Sequence, residues 1–147
     1  MNLNQVVANL DIVSSSIHRL NVSSQMFKIS DSNQKEFGLD IKCSKPTIID
    51  GVKFGKLLMQ IQVSVLPEQI EFSPDFFELV IEGVFSANTE LPDEEFMTLL
   101  NINGGAALYS IARSKIETIS SLTYAEGKIL LPMINIVQYY QEQSAEG

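Results

Sequence analysis

The stretch from Leu57 to Val65 has the clearest alternation in the chain. Leu57, Met59, Ile61, Val63 and Val65 share one parity, and Lys56, Gln60, Gln62 and Ser64 hold the other. A period of two sustained this long is a strand with one buried face. Such a face obliges the chain to supply a sheet and a layer to cover it. Phe77, Leu79, Ile81 and Phe85 repeat the pattern, with Glu78 and Glu82 opposite, beside Phe76, Val80 and Val84. Phe37, Leu39, Ile41 and Cys43 alternate with Gly38, Asp40, Lys42 and Ser44. From Ile17, the residues Leu20, Val22 and Met26 share a parity, and Phe27 and Ile29 take the other. That switch predicts a bulge or a strand that crosses an edge. Turn signals separate the four runs: Asp31-Ser32-Asn33, Pro46 with Asp50-Gly51, and Pro67 with Pro74. Four consecutive strands of this kind predict an antiparallel sheet, read as a meander.

The cover must come from the C-terminal part. Pro92 and the acids Asp93, Glu94 and Glu95 suit a helix start. Phe96, Leu99 and Leu100 give that helix an apolar side. Gly104-Gly105 predicts either a break or close helix packing, since each glycine weakens a helix by about 1 kcal/mol. A longer helix then carries Leu108, Ala112, Ile116 and Ile119 on one stripe, and Glu126-Gly127 stops it. Residues 134–143 predict a final helix, and 144–147 a frayed tail. The spacing of Leu3, Val6, Leu10 and Val13, broadened by Val7 and Ile12, predicts a short helix within an N-terminal extension over 1–16. It serves either as a docking helix or as a cap on the domain's own core. Strands first and helices last make one α+β domain over 1–147, its sheet covered on one face by two C-terminal helices.

Composition narrows function by exclusion. Ten basic against 18 acidic residues give a net charge of -8. That balance argues against a nucleic-acid footprint. No apolar run reaches membrane-spanning length, and the first basic residue is Arg19, so no signal-peptide n-region stands at the start. A soluble cytoplasmic protein is the expectation. The single Cys43 allows no internal disulfide, and its parity predicts a small buried hydrophobe. His18, the one histidine, has no motif partner and reads as a surface residue of a strand. No metal-ligand spacing, phosphate loop or catalytic constellation is visible. No catalytic residue, metal or cofactor is expected, and the chain does not read as an enzyme.

The connector before the last helix is the anomaly. Tyr124, Ile129, Leu130, Leu131, Met133 and Ile134 lie close together in what should be a surface loop. Either it folds onto its own core, or it walls an apolar groove, or alternate side chains do each. Methionine and aromatic side chains suit a groove that adapts to different partners.

In order, the C-terminal third reads Asn101-Ile102-Asn103-Gly104-Gly105, Leu108-Tyr109-Ser110-Ile111-Ala112-Arg113, then Pro132-Met133-Ile134-Asn135. Together with Gly83-Val84-Phe85-Ser86, this resembles SecB, the bacterial export chaperone family. The resemblance spans about 17–143 and is strongest over 101–140. It implies a four-stranded antiparallel sheet with two helices, assembled as a tetramer, a dimer of dimers, in the bacterial cytoplasm. It implies an ATP-independent holdase that takes unfolded polypeptide clients into apolar grooves, for export or for one dedicated client such as an antitoxin. The alternative it leaves is an interaction protein whose groove is filled by its own loop. Client contacts would fall at Tyr124, Ile129, Leu131, Pro132, Met133, Ile136 and Tyr140. The stripe of Leu108, Ala112 and Ile116 would cover the sheet or join subunits.

The resemblance also implies docking on the motor SecA through acids on the exposed sheet face, with Glu78 at one such position. Ser24 and Lys28 stand where other family acids fall. Tyr109-Ser110-Ile111 replaces Phe-Pro-Tyr, and an extra residue, Met133 or Ile134, separates Pro132 from Asn135. These departures argue against SecA docking and for a divergent SecB-like protein.

Overall fold

The strand expected from the Leu57–Val65 alternation organises the molecule. A computed structural model describes residue 2 and residues 8–69 and 72–146. The described residues form five strands: β1 (Asp11–Ser23), β2 (Lys35–Cys43), β3 (Thr47–Ile49), β4 (Val52–Val65) and β5 (Asp75–Asn88). β4 is central and pairs with β5 on one side and β2 on the other, while the short β3 extends the β2 side. Every pairing among the strands is antiparallel. The order is β1-β5-β4-β2. This is not the simple meander expected: β2 to β5 follow in turn, but β1 returns beside β5, as in a Greek key. Alternation identifies a strand's faces, not its neighbours, so the crossing was invisible in sequence.

Asp50-Gly51 makes the β3–β4 turn with both residues at positive φ, 51° and 76°, the hairpin form that Asp-Gly favours. β1 carries irregularities between Ile12 and Ser14 and between Ile17 and Arg19. The helical reading is corrected over 11–15, which belong to β1. Leu3, Val6 and Val7 lie outside the described residues. The parity switch at Phe27 has its cause: the chain has left the sheet by Ser24, and Phe27–Ile29 pairs instead with Ala125 and Glu126.

The inner face of the sheet holds Leu57, Met59, Ile61, Val63, Phe77, Leu79, Ile81 and Phe85, all buried. Over it lie α1 (Asp93–Leu99), a π-helical turn (Leu100–Gly104) and α2 (Gly105–Thr123), one uninterrupted helical run. The expected break is a loosened turn: the Gly105 N–H reaches back to the Leu100 carbonyl, five residues away. Gly104 is pressed against the sheet, where an added Cβ would lie 3.3 Å from Leu57 and 3.4 Å from Phe85. Close packing is thus what the glycine permits. Phe96, Leu100, Leu108, Ala112 and Ile116 are fully buried along the run. Each large apolar side chain so buried stabilises by about 1.5–3 kcal/mol relative to exposure. α3 (Ile136–Glu146) follows and stays helical through Glu146, past the frayed tail expected from 144. Cys43 is exposed, not buried, because β2 is an edge strand and its end is uncovered.

Candidate functional site

The connector 124–135 is built from the motifs that flank it. Tyr124 enters the core, packs on Phe77 at 5.9 Å and donates its hydroxyl to Asp75 at 3.0 Å. Burial first, and the neighbouring carboxylate second, push the Tyr124 phenol well above its ordinary range. Asp75 also accepts from the Ser24 hydroxyl at 2.9 Å and the Gln25 N–H at 2.7 Å. One buried carboxylate therefore ties the end of β1 to the head of the connector. Gly127 sits at φ +90°, where a Cβ would run into the Ile29 carbonyl, so only glycine fits.

Two side chains of α2 then grip successive carbonyls. Arg113 Nε donates to the Leu131 carbonyl at 2.7 Å, and the Tyr109 hydroxyl donates to the Pro132 carbonyl at 2.5 Å. They stand four residues apart, on one helix face. This explains the spacing in Leu108-Tyr109-Ser110-Ile111-Ala112-Arg113. Ser120 Oγ accepts the Ile129 N–H at 2.8 Å. Asn135 Oδ1 accepts the Gln138 N–H at 3.1 Å and caps the start of α3. With its backbone held, the connector sends Ile129 and Leu131 inward and leaves Leu130, Pro132 and Met133 outside, Met133 at 81% exposure.

Beside this wall is an apolar cleft of about 320 Å³, bounded by Phe37 and Leu39 of β2, Leu131, Ile134 and Tyr139. Its floor is the edge of the sheet. The Leu66 N–H donates to the Gln34 carbonyl at 2.8 Å and the Ser44 N–H to the Lys56 carbonyl at 3.0 Å. Even-numbered residues of β2 therefore turn their backbone groups to β4, and Lys35, Phe37, Leu39 and Ile41 turn theirs to the open edge. The Ile41 N–H donates to the Tyr139 hydroxyl at 3.2 Å. Among the described residues no strand pairs with this edge.

Placement separates the expected contact residues. Leu131 and Pro132 line the cleft. Met133 is exposed nearby. Tyr124 and Ile129 are inside the core and offer no surface, because the Asp75 and Ser120 hydrogen bonds hold them there. Ile136 is buried against Gly105 and anchors α3. Tyr140 is half-buried, its ring edge-on to Tyr139 at 5.1 Å. Ile134, one of the apolar connector residues, lines the cleft too, and the cleft residues missed in sequence are Phe37, Leu39, Tyr109 and Tyr139. The even spacing of Phe37 and Leu39 was legible, but not that β2 would be an edge.

Leu108, Ala112 and Ile116 are fully buried against the sheet of their own subunit. This corrects their reading as an oligomer interface: of the two tasks, they perform the cover. Glu78 lies on the opposite sheet face with its carboxylate engaged. It accepts from Arg19 at 2.8 Å, Asn21 at 3.2 Å, Gln60 at 3.1 Å and Gln62 at 3.4 Å. The Arg19 guanidinium, followed by Gln62, holds this carboxyl below its ordinary range. His18 is exposed in β1, 3.5 Å from Glu82. Among the described residues no group of three or more His, Cys, Asp or Glu is placed to hold a metal. No helix among them is long and apolar enough to cross a membrane.

No protein-family model matches the chain, and no curated protein matches it in sequence. Among solved structures, a SecB-like chaperone of Mycobacterium tuberculosis, in complex with a ChAD peptide from the HigA1 antitoxin, superposes with a TM-score of 0.58. The identity is 12%, over 90% of this chain and 95% of that one. The antiparallel sheet, the long helix laid across it and the return through a gripped connector to a last helix give this chain the SecB-like fold.

Proposed function

We propose that the protein is an ATP-independent chaperone of the SecB-like kind, which captures non-native polypeptide in the cleft between the β2 edge, the connector and α3. The observation that carries this reading is the cleft itself: an unpaired strand edge beside apolar walls whose backbone is fixed by Tyr109 and Arg113. Such a site binds an extended segment by main-chain pairing and side-chain burial, without an ordered fold in the client. The size of the cleft accommodates a few side chains, which favours one short client segment over long stretches of unfolded chain. The M. tuberculosis neighbour, solved with an antitoxin peptide, supports the same choice of a dedicated client. Export through SecA draws less support, since the Glu78 carboxylate is occupied within its own sheet.

The assembly in this reading is a homotetramer, two dimers joined, in the bacterial cytoplasm. Its support is β1, an open edge with Ile12, Ile17, Leu20 and Val22 each about two-fifths exposed. Long apolar edges of that kind are normally covered.

The test is suppression of aggregation of a chemically unfolded model protein at stoichiometric ratio. The expected result is suppression by the wild type and its loss in Leu39→Asp, which places a charge in the cleft. If the wild type suppresses nothing and binds no extended apolar peptide, the chaperone reading fails.

A further inference from the structure

Three lysines stand on the segments around the start of β2: Lys28, Lys35 and Lys128, the last two lining one hollow. Two are committed. Lys28 Nζ lies 3.4 Å from Glu126 and Lys128 Nζ lies 2.6 Å from Glu117. Lys35 is different. Its Nζ donates only to backbone carbonyls, Asn33 at 3.1 Å and Ser30 at 3.4 Å, and no carboxylate among the described residues is paired with it. Asp31 borders the same hollow as Lys35, Lys128 and Leu130, yet makes no ion pair with Lys35.

Position gives this ammonium its meaning. Lys35 shares its parity on β2 with Phe37 and Leu39, and it stands opposite Val65, an inner-face residue. Lys35, Phe37 and Leu39 therefore form one row on the helix side of the sheet edge. All three turn their backbone groups outward, by the same alternation that sends the Ile41 N–H to Tyr139. A peptide strand added to this edge would set alternate side chains against that row, about 7 Å per step of two residues. Two apolar side chains would meet Leu39 and Phe37, and the next of that parity would meet Lys35.

We infer that Lys35 is a specificity-determining residue of the cleft, selecting an extended segment that carries an acidic side chain two residues from an apolar pair. The inference rests on the cleft being a polypeptide site. The whole chain is acidic and repels acidic peptides at long range. Selection is therefore a contact effect of one unpaired ammonium, and cross-strand pairs of opposite charge are modest in strength.

Fluorescence anisotropy with three labelled peptides tests it. They share an apolar-x-apolar-x frame and end it in Asp, Ser or Lys. The wild type should bind the Asp peptide about five-fold tighter than the Ser peptide, and the Lys peptide weakest. Lys35→Glu should reverse the order of the Asp and Lys peptides. Equal affinities of all three for the wild type would overturn the preference while leaving the cleft as a client site. Failure of all three to bind would remove the cleft, and the preference with it. The wild-type series alone decides the matter if the variant does not fold.

Discussion

The sheet ends in two edges that the chain treats in opposite ways. β1 is thirteen residues long and shows its row of Ile12, Ile17, Leu20 and Val22, over which none of the described residues pairs as a further strand. β2 is shorter, and its edge is met by a helix whose Tyr139 hydroxyl takes up one main-chain donor. An uncovered edge of aliphatic residues suits a permanent neighbour of the same kind, because burial there is non-directional and large. A partly covered edge with walls on either side suits an occupant that comes and goes. In the proposed reading, assembly falls on one side of the sheet and capture on the other.

The sharpest way to break that division is Leu20→Lys. Placing a charge on the β1 row should lower the mass seen by light scattering below that of the proposed tetramer of 16.3 kDa subunits. A wild type already at the mass of one subunit would show the β1 edge to be a free surface and end the comparison. Arg113→Ala comes next. It removes a charged donor from the Leu131 carbonyl and should cost about 2 kcal/mol in denaturant unfolding. Peptide binding should weaken with it, while assembly holds. A smaller change is expected for Tyr139→Phe, which leaves the Ile41 N–H without its acceptor. About 1 kcal/mol or less of stability is at stake, and hydrogen exchange at Ile41 should speed up without a change at β1.

The least effect belongs to the face that neither edge uses. Glu78 titrates below its ordinary value of 4.5 because Arg19 and the two glutamines favour its charged form. Its contribution is complete above that ordinary value. It is lost as pH falls through the lower native one. Glu78→Gln should flatten this acid limb of an unfolding curve. An unchanged limb would show that the Arg19 pair is already screened by water.

Much of this was legible from periods and motifs. The inner faces of β4 and β5 follow from alternation alone, since a strand buried on one side must write its pattern every second residue. The stripe from Leu108 to Ile116 likewise announced a covered helix face. Sequence could not say that β1 would cross to the far side of β5, because pairing depends on backbone groups that every residue carries. It was for the same reason silent on β2 being an edge, and so on Cys43 being exposed and Phe37 lining a cleft. The connector was recognisable as too apolar for a loop. Which of its side chains turn inward was decided by Tyr109, Arg113 and Ser120, three donors and acceptors whose targets are main-chain atoms twenty or so residues or fewer away.

The turn at Leu100–Gly104 has a consequence for how this helix tolerates change. Every helical residue advances the side-chain direction by about 100°, so one surplus residue in a widened turn acts as a phase adjuster between Phe96 and Leu108. Removing Ile102 or Asn103 would tidy the hydrogen bonding and yet swing one end of the rod a quarter-turn off the sheet. The irregular spot is thus what keeps a long rigid lever in step with the twisted surface beneath it.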